Sequence, residues 1–381
     1  MVASNECLVW RKYPGPLADE IHIRCLPDMT GNPDIAHQTR LVYENLNSFL
    51  SRSGGSLREV INQIVCFRNL DRDFAAFDAS RQDVFNRLGL RVSPAATFIG
   101  QPPLDTPADM VISAIALISS HRADIRSFSD PGFGMSCRIG EQKILFAGSI
   151  LGKADGTFEQ TRDLFRRAEE MLNRENMNIH DVVRTWIYLR HMERDYAEFN
   201  RGRSQFFRDR GVALLPASTG ICGSPPGKDA DLLLSFYAIS SRTPLHRSPM
   251  TSPTLNEASS YGSDFSRGLR VAENNKIGLY VSGTASVDEN GHTAHAGQLS
   301  LQGERMLWNI ESLLSRHGAS FKNALSAITY VKNAEDAPEL ARILRDRGLG
   351  GVPNAMVRAA VCRPDLLCEM ELIAALPAQR G

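Results

Sequence analysis

Two glutamates in the run Cys368-Glu369-Met370-Glu371-Leu372 are the residues of this chain best suited to acid–base chemistry. Alternate side chains of a strand share a face, so Glu369 and Glu371 point one way and Cys368, Met370 and Leu372 the other. The stretch has two counterparts, Met110-Val111-Ile112-Ser113-Ala114 and Leu232-Leu233-Leu234-Ser235-Phe236. There Val111 and Leu233 stand in the place of Glu369. A carboxyl at an otherwise apolar position is desolvated, which raises its pKa and makes it a proton donor. A solvated strand edge with two surface glutamates is the alternative reading.

Other chemistries find less support. The seven cysteines (Cys7, Cys25, Cys66, Cys137, Cys222, Cys362, Cys368) are scattered without metal-ligand spacing, as in the reduced thiols of a cytoplasmic protein. No metal or organic cofactor is expected. His292 and His295 could share a metal, but Gly291–Gly297 reads better as a polar turn between strand and helix. Lys+Arg and Asp+Glu both number 43, so net charge gives no reason to expect nucleic acid or a membrane surface as partner. No apolar run reaches the ~20 residues that span a bilayer.

The elements that must position Glu369 recur three times. Gln38, Gln160 and Gln302 each open a helical pattern, with Val42, Leu46, Phe49 and Leu50 marking the first and Leu164, Phe165, Ala168 and Leu172 the second. Strand-like runs follow: INQIVCF, VVRTWIYL and ALSAITYV. A second helix comes next, and DFAAFDASRQDVF and DYAEFNRGRSQFF match without a gap. Each copy then reaches a Pro-small-small turn at Pro94, Pro216 or Pro353 before its closing strands. With strands upstream of the first helix, the unit is β-β-α-β-α-β-β. A period this long excludes a solenoid, whose repeats run ~20–50 residues, and indicates three tandem domains. The expected boundaries are 1–118, 119–242 and 243–381, the last opening on an irregular Ser/Pro/Thr-rich linker over 241–260.

This unit resembles the RidA/YjgF family, an α/β (α+β) chorismate-mutase-like domain that assembles as a homotrimer. The resemblance implies a single-chain pseudotrimer, monomeric in solution, with chemically different clefts between its units. Residues 120–381 also resemble the chorismatases, on RTWIY (184–188), Gly202-Arg203, PASTGI (216–221), YG…FSRG (261–268), SGTAS (282–286), GHTAHAG (291–297) and 362–371. What that implies is cleavage of chorismate to pyruvate and a hydroxybenzoate or dihydroxycyclohexadiene carboxylate, with Glu369 catalytic and Glu371 supporting the site.

Chorismate carries two carboxylates, which arginine pairs bidentately. The resemblance assigns Arg203 and Arg267 to them and Tyr261 to the pocket. Arg81 occupies the place of Arg203 in the first copy and Arg345 approximately so in the third, so this arginine could equally tie a helix to the sheet. Arg267 and Tyr261 could be a loop arginine and a linker anchor. Gly283 and Cys362 are similar to the ring-pocket pair of the 3-hydroxybenzoate-forming branch, although a lone Cys is also an ordinary core residue. A RidA-like imine deaminase is disfavoured, because Ala96, Ser218 and Ala355 stand where it needs an arginine. A non-enzymatic small-molecule-binding module is the other alternative. The main pocket is expected between the second and third units, with the other clefts filled or inert.

Overall fold

The computed structural model describes residues 7–119, 122–258 and 262–378. The fold is mixed α+β, and one order of elements occurs three times. The first set is β1 (Leu8–Pro14), β2 (Asp19–Cys25), α1 (Ile35–Arg52), β3 (Val60–Phe67), α2 (Leu70–Arg87), β4 (Ala95–Gly100) and β5 (Met110–Ile118). After β6 (Arg122–Phe128), the second set is β7 (Phe133–Ile139), β8 (Gln142–Leu151), α3 (Thr157–Arg174), β9 (Val182–Leu189), α4 (Met192–Asp209), β10 (Ala217–Cys222) and β11 (Leu232–Ser241). After β12 (Arg247–Pro249), the third is β13 (Gly268–Ala272), β14 (Lys276–Ala285), α5 (Leu299–Ser315), β15 (Ala324–Val331), α6 (Ala337–Asp346), β16 (Asn354–Arg358) and β17 (Cys368–Pro377).

Strand order repeats as well: β1-β2-β5-β3-β4, β7-β8-β11-β9-β10 and β13-β14-β17-β15-β16. Within each set the last two strands of that order run parallel, as β3 does with β4. A pairing of Ala96 with Phe133 joins the first two sets into one sheet. A bridge between Ala217 and Ser266 links the second set to the third. Arg11 of the first set donates to the carbonyls of Gly351 and Ala324 in the third.

The recurring glutamine has a physical reason. The Gln38 side chain accepts from Asp109 N–H and donates to Asp109 Oδ2. Gln160 Oε1 accepts from the backbone of Asp231 and Leu232. Gln302 Oε1 accepts from Leu367 N–H. In every copy the glutamine therefore clamps the start of the first helix to the entry of the closing strand. A capping box then opens each third strand, formed by Ser56 with Glu59, Asn178 with Asp181 and Ser320 with Asn323. Apolar helix faces bury against their own sheets, for example Val42, Leu46 and Leu50 of α1 and Leu164, Phe165 and Leu172 of α3.

Two strands lie outside the expected pattern. Strand β6 pairs with β7, and β12 pairs with β13 inside the segment expected to be irregular. Met250 and Leu255 of that segment are buried in the core.

Candidate active site

Helix α4 and strand β10 form one wall of a cleft, and β14, β17 and the loops before β13 and β17 form the other. The cleft holds about 680 Å³ of space, part of it open to solvent. Arg203, Arg267, Gly283, Cys362 and Glu369 all line it. Tyr261 lies outside the described residues.

Glu369 reaches the cleft because β17 sits between β14 and β15, opposite Ala285 and Tyr330. It is 5% exposed. Burial raises the pKa of its carboxyl to about 8, helped by the Glu371 charge and opposed by Arg267 and Arg184. A carboxyl of that pKa holds its proton at neutral pH and can donate it. The Cys362 thiol, pushed up to about 12 by burial and by Glu369, stays neutral beside it.

Glu371, expected to support the site, does not line this cleft. One pleat further along β17, it turns inward and accepts from Arg184 Nη2 at 2.9 Å, Trp186 Nε1 at 2.6 Å and Tyr330 OH at 3.1 Å. Both its oxygens accept from protein donors, and the two carboxyls of one strand face occupy different compartments.

The arginines are held in place. Arg203 donates to Asn200 Oδ1 at 2.6 Å and stacks on the rings of Phe199 and Phe265. Arg267 donates to the backbone oxygen of Asn256 at 2.7 Å and to its Oδ1 at 2.9 Å. Arg363, which sequence reasoning missed, also lines the cleft and latches Gly291 through its carbonyl.

The matching place between the first two sets is filled. Phe98 occupies the position of Gly220, and its ring lies 5.2 Å from Phe74, 5.6 Å from Phe77 and 5.4 Å from Phe133. Arg81 caps these rings and pairs with Asp78 at 2.5 Å, where the second copy has the uncharged Asn200. Gly220 leaves open what Phe98 plugs. Tyr196, Phe199, Ser218, Gly220 and Phe265 are further lining residues not anticipated. The Gly220/Phe98 and Asn200/Asp78 exchanges were the signals that could have found this wall.

Among the described residues, a second cavity, of about 550 Å³, is lined by Glu20, His22, Gln142, Glu273, Asn275 and Lys276 together with apolar residues from all three sets. Also among the described residues, no helix is long and apolar enough to cross a membrane.

Comparison with known proteins fits this site. No family model matches the chain. A 3-hydroxybenzoate synthase of Streptomyces hygroscopicus is 32% identical over 242 residues, 56% of this chain and 68% of that protein. A chorismatase of Streptomyces rapamycinicus is 29% identical over 224 residues, 51% of this chain and 64% of that protein. A chorismatase crystal structure superposes with a TM-score of 0.64 over 84% of this chain and 93% of its own, at 19% identity. That last likeness speaks for the fold alone.

Proposed function

Because the chain belongs to the chorismatase family, we propose that it cleaves the enolpyruvyl ether of chorismate to pyruvate and 3-hydroxybenzoate. The observation that carries this reading is a buried, protonated Glu369 sharing one cleft with Arg203 and Arg267. The arginines suit the two carboxylates of the substrate, and the acid suits its electron-rich methylene carbon. Protonation there makes the ether-bearing carbon oxocarbenium-like and open to water, and collapse of that adduct releases pyruvate. Loss of the neighbouring ring hydroxyl as water aromatises the ring. One water enters and one leaves, so the atoms of chorismate equal those of the two products. The work is proton transfer and charge placement by the chain's own residues. Gly283 and Cys362 both line the cleft, and their likeness to the pair of the 3-hydroxybenzoate-forming branch supports the aromatic product over a dihydroxycyclohexadiene. An imine deaminase is not favoured: Ser218, at the position such an enzyme gives to arginine, bonds Ser282 and Thr185 instead.

The proposal extends to architecture. Residues 1–118, 119–242 and 243–381 act as three RidA-like units closed into a pseudotrimer, the first of them structural. Three equal strand orders and links between each successive pair of units support this reading. Such a chain supplies its own protomers and is a monomer in solution; light scattering giving a mass near three times 42.1 kDa would count against it. A cytoplasmic setting suits the seven scattered cysteines.

The test is to mix purified protein with chorismate and follow pyruvate together with the ring product. Pyruvate with 3-hydroxybenzoate is the expected result, and Glu369→Gln should lower kcat by roughly 10²–10⁴-fold with little change in KM. Wild-type protein that releases no pyruvate ends the substrate assignment. A Glu369→Gln variant of unaltered turnover ends the mechanism.

A further inference from the structure

Glu371 and Arg184 form a buried ion pair that takes no part in lining the cleft, yet it reaches the cleft wall through a continuous chain of hydrogen bonds. Glu371 comes from β17 and Arg184 from β9, so the pair bridges two repeats. Arg184 Nη2 donates to Glu371 Oε2 at 2.9 Å and to Thr219 Oγ1 at 2.5 Å. Thr219 Oγ1 in turn accepts from Gly283 N–H at 3.0 Å. The Gly283 backbone packs directly against the Glu369 carboxyl, close enough that a Cβ there would overlap Glu369 Oε1. Trp186 and Tyr330 complete the hydrogen bonds of Glu371.

We propose that the Glu371–Arg184 pair is the positioning device of Glu369, fixing its carboxyl through Thr219 and Gly283 and setting its proton affinity by two opposed charges. The inference rests on the reading of Glu369 as the proton donor. A buried ion pair is weak evidence of stabilisation, since desolvation offsets much of the attraction. Its retention beside a catalytic acid is better explained by electrostatics. Glu371 favours the protonated form of Glu369, while Arg184 opposes it. Other groups facing Glu369 are Arg267 before β13, Arg203 and Tyr196 on α4, and Cys362 and Arg363 before β17, while the adjacent Cys368 of its own strand points to the other face. These stay constant when the pair is varied.

The experiment compares the pH dependence of kcat/KM for pyruvate release in the wild type, Glu371→Gln, Arg184→Gln and Arg184→Lys. A general acid is lost as pH rises through its pKa, so the wild-type alkaline limb should fall near pH 8. Glu371→Gln removes the charge that favours protonation, and the limb should move down by roughly one unit or more. Arg184→Gln should move it up, and Arg184→Lys should return it to the wild-type position. Merely structural damage would not shift the limb in opposite directions. Limbs that stay in place, or move together, in folded variants overturn the proposal. NMR titration of ¹³C-carboxyl-labelled glutamate in the ligand-free protein, with the Glu369 signal assigned by its absence in Glu369→Gln, gives the same readout without turnover. If chorismate proves not to be the substrate, that titration still upholds or overturns the coupling, so the two failures remain distinguishable.

Discussion

Gly283 on β14 and Glu369 on β17 meet so closely that a Cβ on Gly283 would lie 2.0 Å from Glu369 Oε1. The glycine is required by this approach to a side chain, and the contact ties a residue type to the orientation of the acid.

Gly283→Ala should therefore fold, because the colliding atom is the far end of a side chain that can turn away. On the proposed mechanism, the displaced carboxyl would no longer point at the reacting carbon. Misplacement by about 1 Å can cost on the order of 10²-fold, so kcat for pyruvate release should fall by that order while KM stays within a few-fold. Unchanged kcat would show that the orientation of Glu369 is not set by this contact.

A second expectation follows from Asn200. In the first repeat Arg81 is neutralised by Asp78, whereas Arg203 has the uncharged Asn200 as its neighbour. Asn200→Asp would give Arg203 an anionic partner in competition with a substrate carboxylate. A charge-assisted pair is worth roughly 1.5–3 kcal/mol, so KM should rise roughly 10- to 100-fold, with kcat much less affected. Asp78→Asn, made as a control in the plugged site, should leave KM unchanged. Equal effects of the two substitutions would sink the distinction between the clefts.

Much of this was legible in the sequence, and the parts that were not share one cause. The repeats, their element order and the position of Glu369 could be read because each copy serves as a reference for the others: an acid opposite Val111 and Leu233 stands out. The clamp made by Gln38, Gln160 and Gln302 left its mark for the same reason. The true surroundings of Glu371 were hidden, because Arg184 and Trp186 come from a different repeat and no spacing along the chain announces them. Strand β12 was missed because three residues carry no periodicity, and its Pro/Ser composition reads as loop. The exchange of Phe98 for Gly220 was visible, but only the packed aromatic cluster gave it meaning.

Holding Glu369 neutral should cost stability. Its folded pKa, about 8, lies above the usual 4.5, so the folded state binds the proton more tightly than the unfolded chain. The sign follows from linkage: the contribution of Glu369 is most favourable below about pH 4.5 and declines as pH rises towards 8. Glu369→Gln removes that dependence. Urea unfolding should find the variant more stable than the wild type by on the order of 1–3 kcal/mol at pH 8, with the gap closing near pH 4.5. A variant less stable at alkaline pH would contradict the raised proton affinity.

Another buried charge pair lies away from the cleft, where Lys276 Nζ on β14 meets Glu20 on β2 at 2.6 and 2.5 Å. It joins the first repeat to the third. Burial works against both charges, yet Lys276 and His22 bring the Glu20 carboxyl down to about 2. Glu20→Gln would strand a buried ammonium, and removing one partner of such a pair typically costs about 3–5 kcal/mol. Replacing both, as Glu20→Gln with Lys276→Met, should recover much of that loss, since neither charge of the pair remains, and burial already favours the neutral form of the neighbouring Glu273. The pH dependence has the opposite sign to that of Glu369. A depressed carboxyl pKa contributes stability that is present above about pH 4.5 and lost as pH falls towards 2. The gap between wild type and Glu20→Gln should accordingly be largest at neutral pH and narrow on acidification, as Glu20 itself becomes neutral. Denaturant unfolding of the three proteins from pH 7 down to pH 3 measures this. A single variant as stable as the wild type at pH 7 would show that the pair does not hold the first and third repeats together.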